Sequence, residues 1–282
     1  MRIVVTGAGG DLGRAFLARA PGHHDVLTFD REALDVGDHD AVRQSVEPLR
    51  ADVILNFAAY TRVDENESDQ ARAFRDNALG PQHLALAARA SGAVLLHVST
   101  DYVFDGEKGA PYDETDAPAP LSVYGRAKLA GERFVQQIAP ESFVVRVGYV
   151  YGGGNDYLTR AVGALVAGEA VGGLADRWGS PTFVGHLAER ILPLVLTGRF
   201  GLYHLGGPQP ASWFEVLRRV HELTGSAGSV EPQRAADLGL PAPRPVYSAL
   251  TSVFTPHLGI DPMPPLDEGL KDFVADDALA GS

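Results

Sequence analysis

Arg2-Ile3-Val4-Val5-Thr6-Gly7-Ala8-Gly9-Gly10-Asp11-Leu12-Gly13 is the stretch whose reading decides the fold. The β-branched run Arg2–Val5 reads as a strand, and Arg14–Ala20 as a helix. Between them Gly7, Gly10 and Gly13 form G-x-x-G-x-x-G, with Asp11 and Leu12 inside the turn. Glycine lets a strand turn tightly into a helix and lets backbone N–H groups approach a pyrophosphate, which the helix dipole also favours. Alone, a glycine pattern says little. Placed between a strand and a helix, it predicts a dinucleotide site. The bland alternative is a βα turn that holds nothing.

The next strand, Val26–Phe29, ends at Asp30-Arg31, about where an acidic side chain meets the adenosine ribose. Asp30 favours a free 2′-hydroxyl and hence NADH. Arg31 favours a 2′-phosphate and hence NADPH, so both cofactors stay open. Asp35 and Val36 are placed to flank the adenine, unless Asp35 only turns the chain before a helix over 40–49. A third strand, Asp52–Asn56, leads to Ala58, Ala59 and Tyr60, where small side chains suit close passage of a dinucleotide or ordinary packing. Residues 69–89 read as helix, interrupted at Gly80-Pro81. Asn77 either anchors neighbouring strand ends or caps that break.

The apolar run Ala93–Val98 predicts a buried strand, which puts Thr100 and Asp101 at its C-terminal end, where open α/β sheets bind ligands. After a Pro-, Asp- and Gly-rich loop, a helix opens at Tyr124 and runs to about Gln137. Tyr124 and Lys128 are four residues apart and share a helix face. A phenol normally loses its proton near pH 10, and a neighbouring ammonium lowers that value. Such a pair can protonate a carbonyl oxygen while hydride reaches the carbon. Taken alone, it is also a common pair on exposed helices.

The 282 residues suffice for one large α/β domain and a smaller one, and 45% apolar content supplies a core. A net charge of −12 argues against non-specific binding to nucleic acid or an anionic membrane. With no cysteine, disulfides and thiol chemistry are excluded. The histidines lack metal-ligand spacing, so no metal is expected. No signal-peptide core precedes the first strand, and no apolar run reaches the roughly 18 residues of a membrane span. A soluble, cytoplasmic protein is expected.

Phe143–Val147 reads as another core strand, after which Gly148–Asn155 breaks the regularity and marks a boundary. Helices are predicted over 157–167, 184–196, 213–224 (with Ser212 as cap) and 266–274. Gly201–Leu205 reads as a strand, Asp176–Thr182 as a loop and 241–248 as extended chain. The acidic tail beyond is expected to fray.

Together these residues resemble the extended short-chain dehydrogenase/reductase family, and within it the dTDP-4-dehydrorhamnose reductase group, over nearly the whole chain. The carriers are the Gly7–Gly13 turn, Asn56–Asp64 against N-A-A-x-T-x-V-D, Ser99–Gly106 against S-T-D-Y-V-F-x-G, Tyr124–Glu132 against Y-G-x-x-K-x-x-G-E, and Gly179-x-Pro181-Thr182. The resemblance implies an α/β fold with a Rossmann-type doubly wound parallel sheet and a smaller, mostly C-terminal substrate domain. The expected division is 1–147 for the NAD(P)-binding domain, with a return around 183–225, and 148–282 mainly for substrate.

The resemblance also implies roles. Thr100 holds the substrate carbonyl, Tyr124 is the general acid, and Lys128 binds the nicotinamide ribose and lowers the tyrosine pKa. Asp101 helps position substrate or relays a proton, or merely bonds backbone N–H groups. Further substrate contacts are implied at Val63, Tyr102, Tyr149, Arg177, Ser180, Arg244 and Ser248. The implied reaction is hydride transfer from NADPH or NADH to C4 of a dTDP-linked 4-keto-6-deoxy sugar. The same fold admits an NAD-retaining epimerase or dehydratase and a non-catalytic NADP-binding regulatory subunit. Because members of the group are often dimers, a homodimer is also admitted. The chain departs from the group on the substrate side: Tyr149 replaces tryptophan, Arg177 replaces glutamine, and Tyr247 and Ala249 flank Ser248 where asparagine and arginine are usual.

Overall fold

The computed structural model describes residues 1–20 and 22–276; the tail expected to fray lies largely outside them. The first half alternates strand and helix: β1 (Arg2–Thr6), α1 (Asp11–Arg19), β2 (Asp25–Phe29), α2 (His39–Val46), β3 (Val53–Asn56), α3 (Val63–Ser68), α4 (Gln70–Phe74), α5 (Gly80–Ser91), β4 (Val94–Thr100), α6 (Val123–Ile138) and β5 (Ser142–Val147). Then follow β6 (Val150–Tyr151), α7 (Tyr157–Val166), β7 (Ala170–Leu174), β8 (Trp178–Gly179), β9 (Thr182–Phe183), α8 (Val184–Leu196), β10 (Gly201–His204), β11 (Ala211–Ser212), α9 (Trp213–Thr224), β12 (Ser229–Gln233) and α10 (Leu266–Ala275).

Six parallel strands form the central sheet in the order β10-β5-β4-β3-β1-β2. Ile3, Val4, Val5, Ile54, Leu55, Leu95 and Leu96 are fully buried, as strands covered on both faces must be. Phe16 of α1 and Leu187 of α8 pack on one face, Val42 of α2, Leu84 of α5 and Val135 of α6 on the other. Winding runs from β1 outward to β2, then back across to β3. The crevice beyond the β1 and β3 C-termini is therefore the topological switch point.

Two expectations needed correction, and one feature was not foreseen. The helix over 69–89 is not broken at Gly80-Pro81; its irregularity is a π turn at Arg75–Leu79, one turn earlier. Pro81 has no N–H to return to the preceding turn, so the ladder is disturbed upstream of the proline. The segment expected as a loop at 176–182 holds two short strands, β8 pairing with β11 and β9 with β6. An unforeseen parallel ribbon joins β7 to β12.

Candidate active site

At the switch point lies a cleft of about 410 Å³, lined by Gly7, Gly9, Gly10, Asp30, Arg31, Asp35, Val36, Phe57, Ala58, Ala59 and Asp76 among others. Gly7 has φ +70°, and a Cβ there would come within 2.5 Å of the Ala58 nitrogen. A Cβ on Gly13 would come within 2.4 Å of the Gly7 carbonyl. The turn is thus closed to side chains at two points, and α1 points its N-terminus into the cleft. This cradle fits a dinucleotide pyrophosphate.

Asp30 turns its carboxylate back to accept from the Glu32 and Ala33 N–H groups at 3.0 and 2.9 Å. The Arg31 guanidinium is largely exposed, 3.9 Å from Asp76. Val36 lines the cleft wall, and Asp35 is paired with Arg75, which holds its carboxyl below the usual range. Asp11 pairs with Arg14 at 2.7 Å, and Leu12 packs on the core. Tyr60 turns its hydroxyl away to Glu65 at 2.7 Å, while its backbone is anchored on both sides by Asn77. Asn77 therefore takes the anchoring role weighed for it.

Beyond the sheet edge, β4 ends in a turn at Asp101–Val103, and the start of α6 abuts it. Gly125 makes this possible, since a Cβ there would lie 2.2 Å from the Tyr102 carbonyl. Thr100, Asp101 and Tyr124 are thereby gathered and buried. Thr100 donates to Asp101 at 3.1 Å and accepts from the Tyr102 N–H at 3.2 Å. Ser248 donates to the other Asp101 oxygen. Burial pushes the Asp101 carboxyl up to about 7 against these two hydroxyls. Burial also pushes the Tyr124 phenol up to about 12, with contact to Thr100 pulling down and the Asp101 charge pushing up.

The sequence led us to expect Lys128 to lower the Tyr124 pKa. In this structure the Lys128 amine instead donates to the Val98 carbonyl at 2.7 Å and lies 3.4 Å from His97 Nε2. Its own pKa is pulled down to about 8 by burial, opposed by Glu132. Tyr124 therefore carries its proton at neutral pH, as a general acid must, although a pKa this high makes it a weak donor.

The residues expected on the substrate side lie on separate stretches of the chain. Tyr149, at φ +47°, stacks on Trp213 with centroids 4.8 Å apart and planes 2° apart. Burial raises its pKa, with Tyr102 and Asp101 adding to the shift and Arg177 and Arg244 opposing it, so these groups lie near the Tyr149 hydroxyl. Arg244 grips Asp64 with two bonds at 3.0 and 2.8 Å, beside Val63 at the start of α3. Arg177 bonds the Asp176 carbonyl, but its buried Nε–H finds no partner. Ser180 stands apart, fully buried and bonded to the backbone of Leu250.

Sequence reading missed the polar frame behind the site. Glu132 is buried and bonded twice to Arg146 at 2.9 and 2.7 Å, with Ser99 donating to it. Asn56 and His97 bond at 2.9 Å beneath Lys128. A helix-face count could have found Glu132, four residues past Lys128. A histidine inside the apolar run 93–98 was the signal for His97. Elsewhere, His186, Glu268 and Asp272 converge, with His186 bonded to Asp272 at 2.8 Å in a partly exposed pair. Among the described residues, no helix is long and apolar enough to cross a membrane.

Residues 1–279 match the family model described as RmlD substrate binding domain. A dTDP-4-dehydrorhamnose reductase from Mycolicibacterium smegmatis is 40% identical, over 97% of this chain and 85% of the relative. A crystal structure of dTDP-4-dehydrorhamnose reductase from Bacillus anthracis with NADP has a TM-score of 0.94 and 34% identity, over 98% of this chain and 99% of that one. A Thermus thermophilus UDP-glucose 4-epimerase complex with NAD has a TM-score of 0.81 and 25% identity, over the full length of both chains.

Proposed function

Because the chain belongs to the RmlD substrate binding domain family of extended short-chain dehydrogenase/reductases, we propose that it reduces the 4-keto group of a dTDP-linked 4-keto-6-deoxy sugar with NAD(P)H. The observation that carries this reading is the buried gathering of Thr100, Asp101 and Tyr124 at the end of β4, beside the dinucleotide cleft.

Gly7, Gly10 and Gly13 would hold the pyrophosphate, and Asp30, Arg31, Asp35 and Val36, which line the same cleft, would meet the adenosine half. The nicotinamide, when bound, supplies hydride to C4. Thr100 turns its hydroxyl from Asp101 to the substrate oxygen. Tyr124 gives up its phenolic proton as the C–O π pair moves to that oxygen, leaving a 4-hydroxyl and a tyrosinate that is reprotonated before the next turnover. Lys128 would hold the cofactor ribose. Tyr102, Tyr149, Arg177 and Arg244 form the wall that meets the sugar and its diphosphate. Arg31, exposed and only loosely held by Asp76, suits a 2′-phosphate, and the Bacillus anthracis relative was crystallised with NADP. The domain reading follows the same division: the sheet with its return around 183–225 takes the cofactor, and the remainder past 148 mainly takes the sugar.

The test is stoichiometric oxidation of NADPH on addition of a dTDP-4-keto-6-deoxy sugar. An enzyme that regains its own NAD in each cycle consumes none. Tyr124→Phe is expected to lower kcat by about 10³-fold, the scale of a lost general acid; normal turnover in that variant would sink the mechanism.

A further inference from the structure

Lys128 rests on a chain of buried side chains whose proton positions can be worked out one after another. Asn56 Oδ1 accepts from the Ala58 backbone N–H at 3.1 Å and from the Thr6 hydroxyl at 2.8 Å. A backbone N–H can only donate, so the carboxamide has one orientation, with Nδ2 facing His97 Nδ1 at 2.9 Å. An NH₂ group donates, so Nδ1 must accept. His97 is fully buried, and burial, helped by the Lys128 charge, holds its pKa well below the ordinary value. The ring is therefore neutral and carries its single proton on Nε2. That N–H faces the Lys128 nitrogen at 3.4 Å, while Lys128 donates to the Val98 carbonyl at 2.7 Å.

An ammonium has three donors and no acceptor. It gains nothing by pointing a proton at another N–H, so it keeps one on Val98 and turns the rest away from the sheet. A neutral amine can accept the Nε2 proton instead. We propose that His97 is a positioning residue for Lys128: fixed as the Nε2–H tautomer by the Ala58 N–H acting through Asn56, it offers the lysine a donor in place of an acceptor and so directs the lysine protons toward the cofactor. The other charged and titratable groups around Lys128 are Tyr124, one turn earlier on α6, and Glu132, one turn later and closed by Arg146 of β5 and Ser99 of β4. None of these offers the sheet-side contact that His97 makes. The proposal rests on Lys128 serving the cofactor ribose, as proposed above.

The tautomer is tested without any variant and without cofactor, by ¹⁵N–¹H correlation spectra of the imidazoles in the full chain. His97 is expected to carry its proton on Nε2; an Nδ1–H tautomer or an imidazolium at pH 7 overturns the proposal. Asn56→Asp then reverses the chain. Its carboxylate accepts from Nδ1–H, Nε2 becomes an acceptor, and the ammonium is drawn to the sheet. The same spectra should show the switch, with kcat down about tenfold and the sugar KM unchanged. The basic limb of the kcat–pH profile should move up by about one unit, because an acceptor favours the charged amine. His97→Phe, which removes the opposing donor, should move that limb the same way. Folded variants with unmoved profiles overturn the positioning role and leave His97 a packing residue. Full activity in Lys128→Met would remove the premise, and the proposal with it, while leaving the measured tautomer standing.

Discussion

Behind Lys128, buried polar groups answer one another: Thr6 to Asn56, Asn56 to His97, Ser99 and Arg146 to Glu132. Around Tyr149 the wall is assembled from residues far apart in sequence. An aromatic stack on Trp213 supports it, and Arg177 keeps an N–H without a partner. The difference separates two kinds of constraint. A buried polar frame must be complete, since each unanswered group costs about 1–3 kcal/mol. A half-open wall can change its side chains, provided the backbone that carries them is held from behind. The motif residues of this chain are intact on the framed side and altered on the open side.

The strongest way to break that contrast is to open the frame. Glu132→Gln leaves Arg146 buried with its charge uncompensated, and Ser99 loses an ionised acceptor. We expect a loss of about 3–5 kcal/mol in unfolding free energy, the cost of breaking a buried pair from one side. Denaturant unfolding checks this. Adding Arg146→Met in the same chain should recover much of the loss, because the stranded charge is then gone. If the single and double variants are equally unstable, charge stranding is not the reason for the frame.

The next prediction concerns Asp101, where frame and wall meet. Its folded pKa, about 7, lies above its unfolded value, because burial opposes the charge more than Ser248 and Thr100 favour it. The folded state therefore holds more protons than the unfolded chain between pH ~4 and ~7, and this residue's contribution to stability falls as pH rises through that window. The ceiling is about 4 kcal/mol, at about 1.4 kcal/mol per unit. His97 works the other way: its lowered pKa makes stability rise with pH up to its unfolded value. Comparing Asp101→Asn with the parent chain cancels that term. The variant mimics the protonated carboxyl, so its stability advantage in calorimetry should grow from pH 5 to pH 8. A constant difference would mean that Asp101 stays ionised.

How much of this was legible follows the same line. The glycine turn, the Ser99–Gly106 run and the Tyr124/Lys128 spacing are local patterns, and each predicted its element. The β7–β12 ribbon was not legible, because Gly172-Gly173 and Pro232 are turn chemistry, tolerated here only in a two-stranded edge pair. The direction of Lys128 was not legible either. A four-residue spacing sets a helix face, but the Val98 carbonyl that takes the amine belongs to β4, thirty residues upstream. The surroundings of Tyr149 depend on Trp213 and Arg244, whose proximity no sequence period encodes.

The smallest expected effect probes the open wall directly. Arg177→Gln puts back the residue that the resembling group carries. The side chain is one-fifth exposed and its guanidinium is shared with Asp176 at 3.3 Å, so its charge is already partly answered. What it can add to a bound diphosphate is one charge-assisted contact through the exposed part of the side chain, worth roughly 1 kcal/mol or about fivefold in binding. The sugar KM should therefore rise about fivefold, with kcat and the NADPH KM unchanged, because the contact lies away from the reacting carbon and is equally present before and during hydride transfer. A drop in kcat would mean that Arg177 reaches the reacting centre through Tyr149, and the two walls would then have to be treated as one. An unchanged KM would make the arginine a neutral replacement. A fall in KM would mean that the glutamine is the better ligand for the sugar offered, and would point to a substrate other than the one assayed.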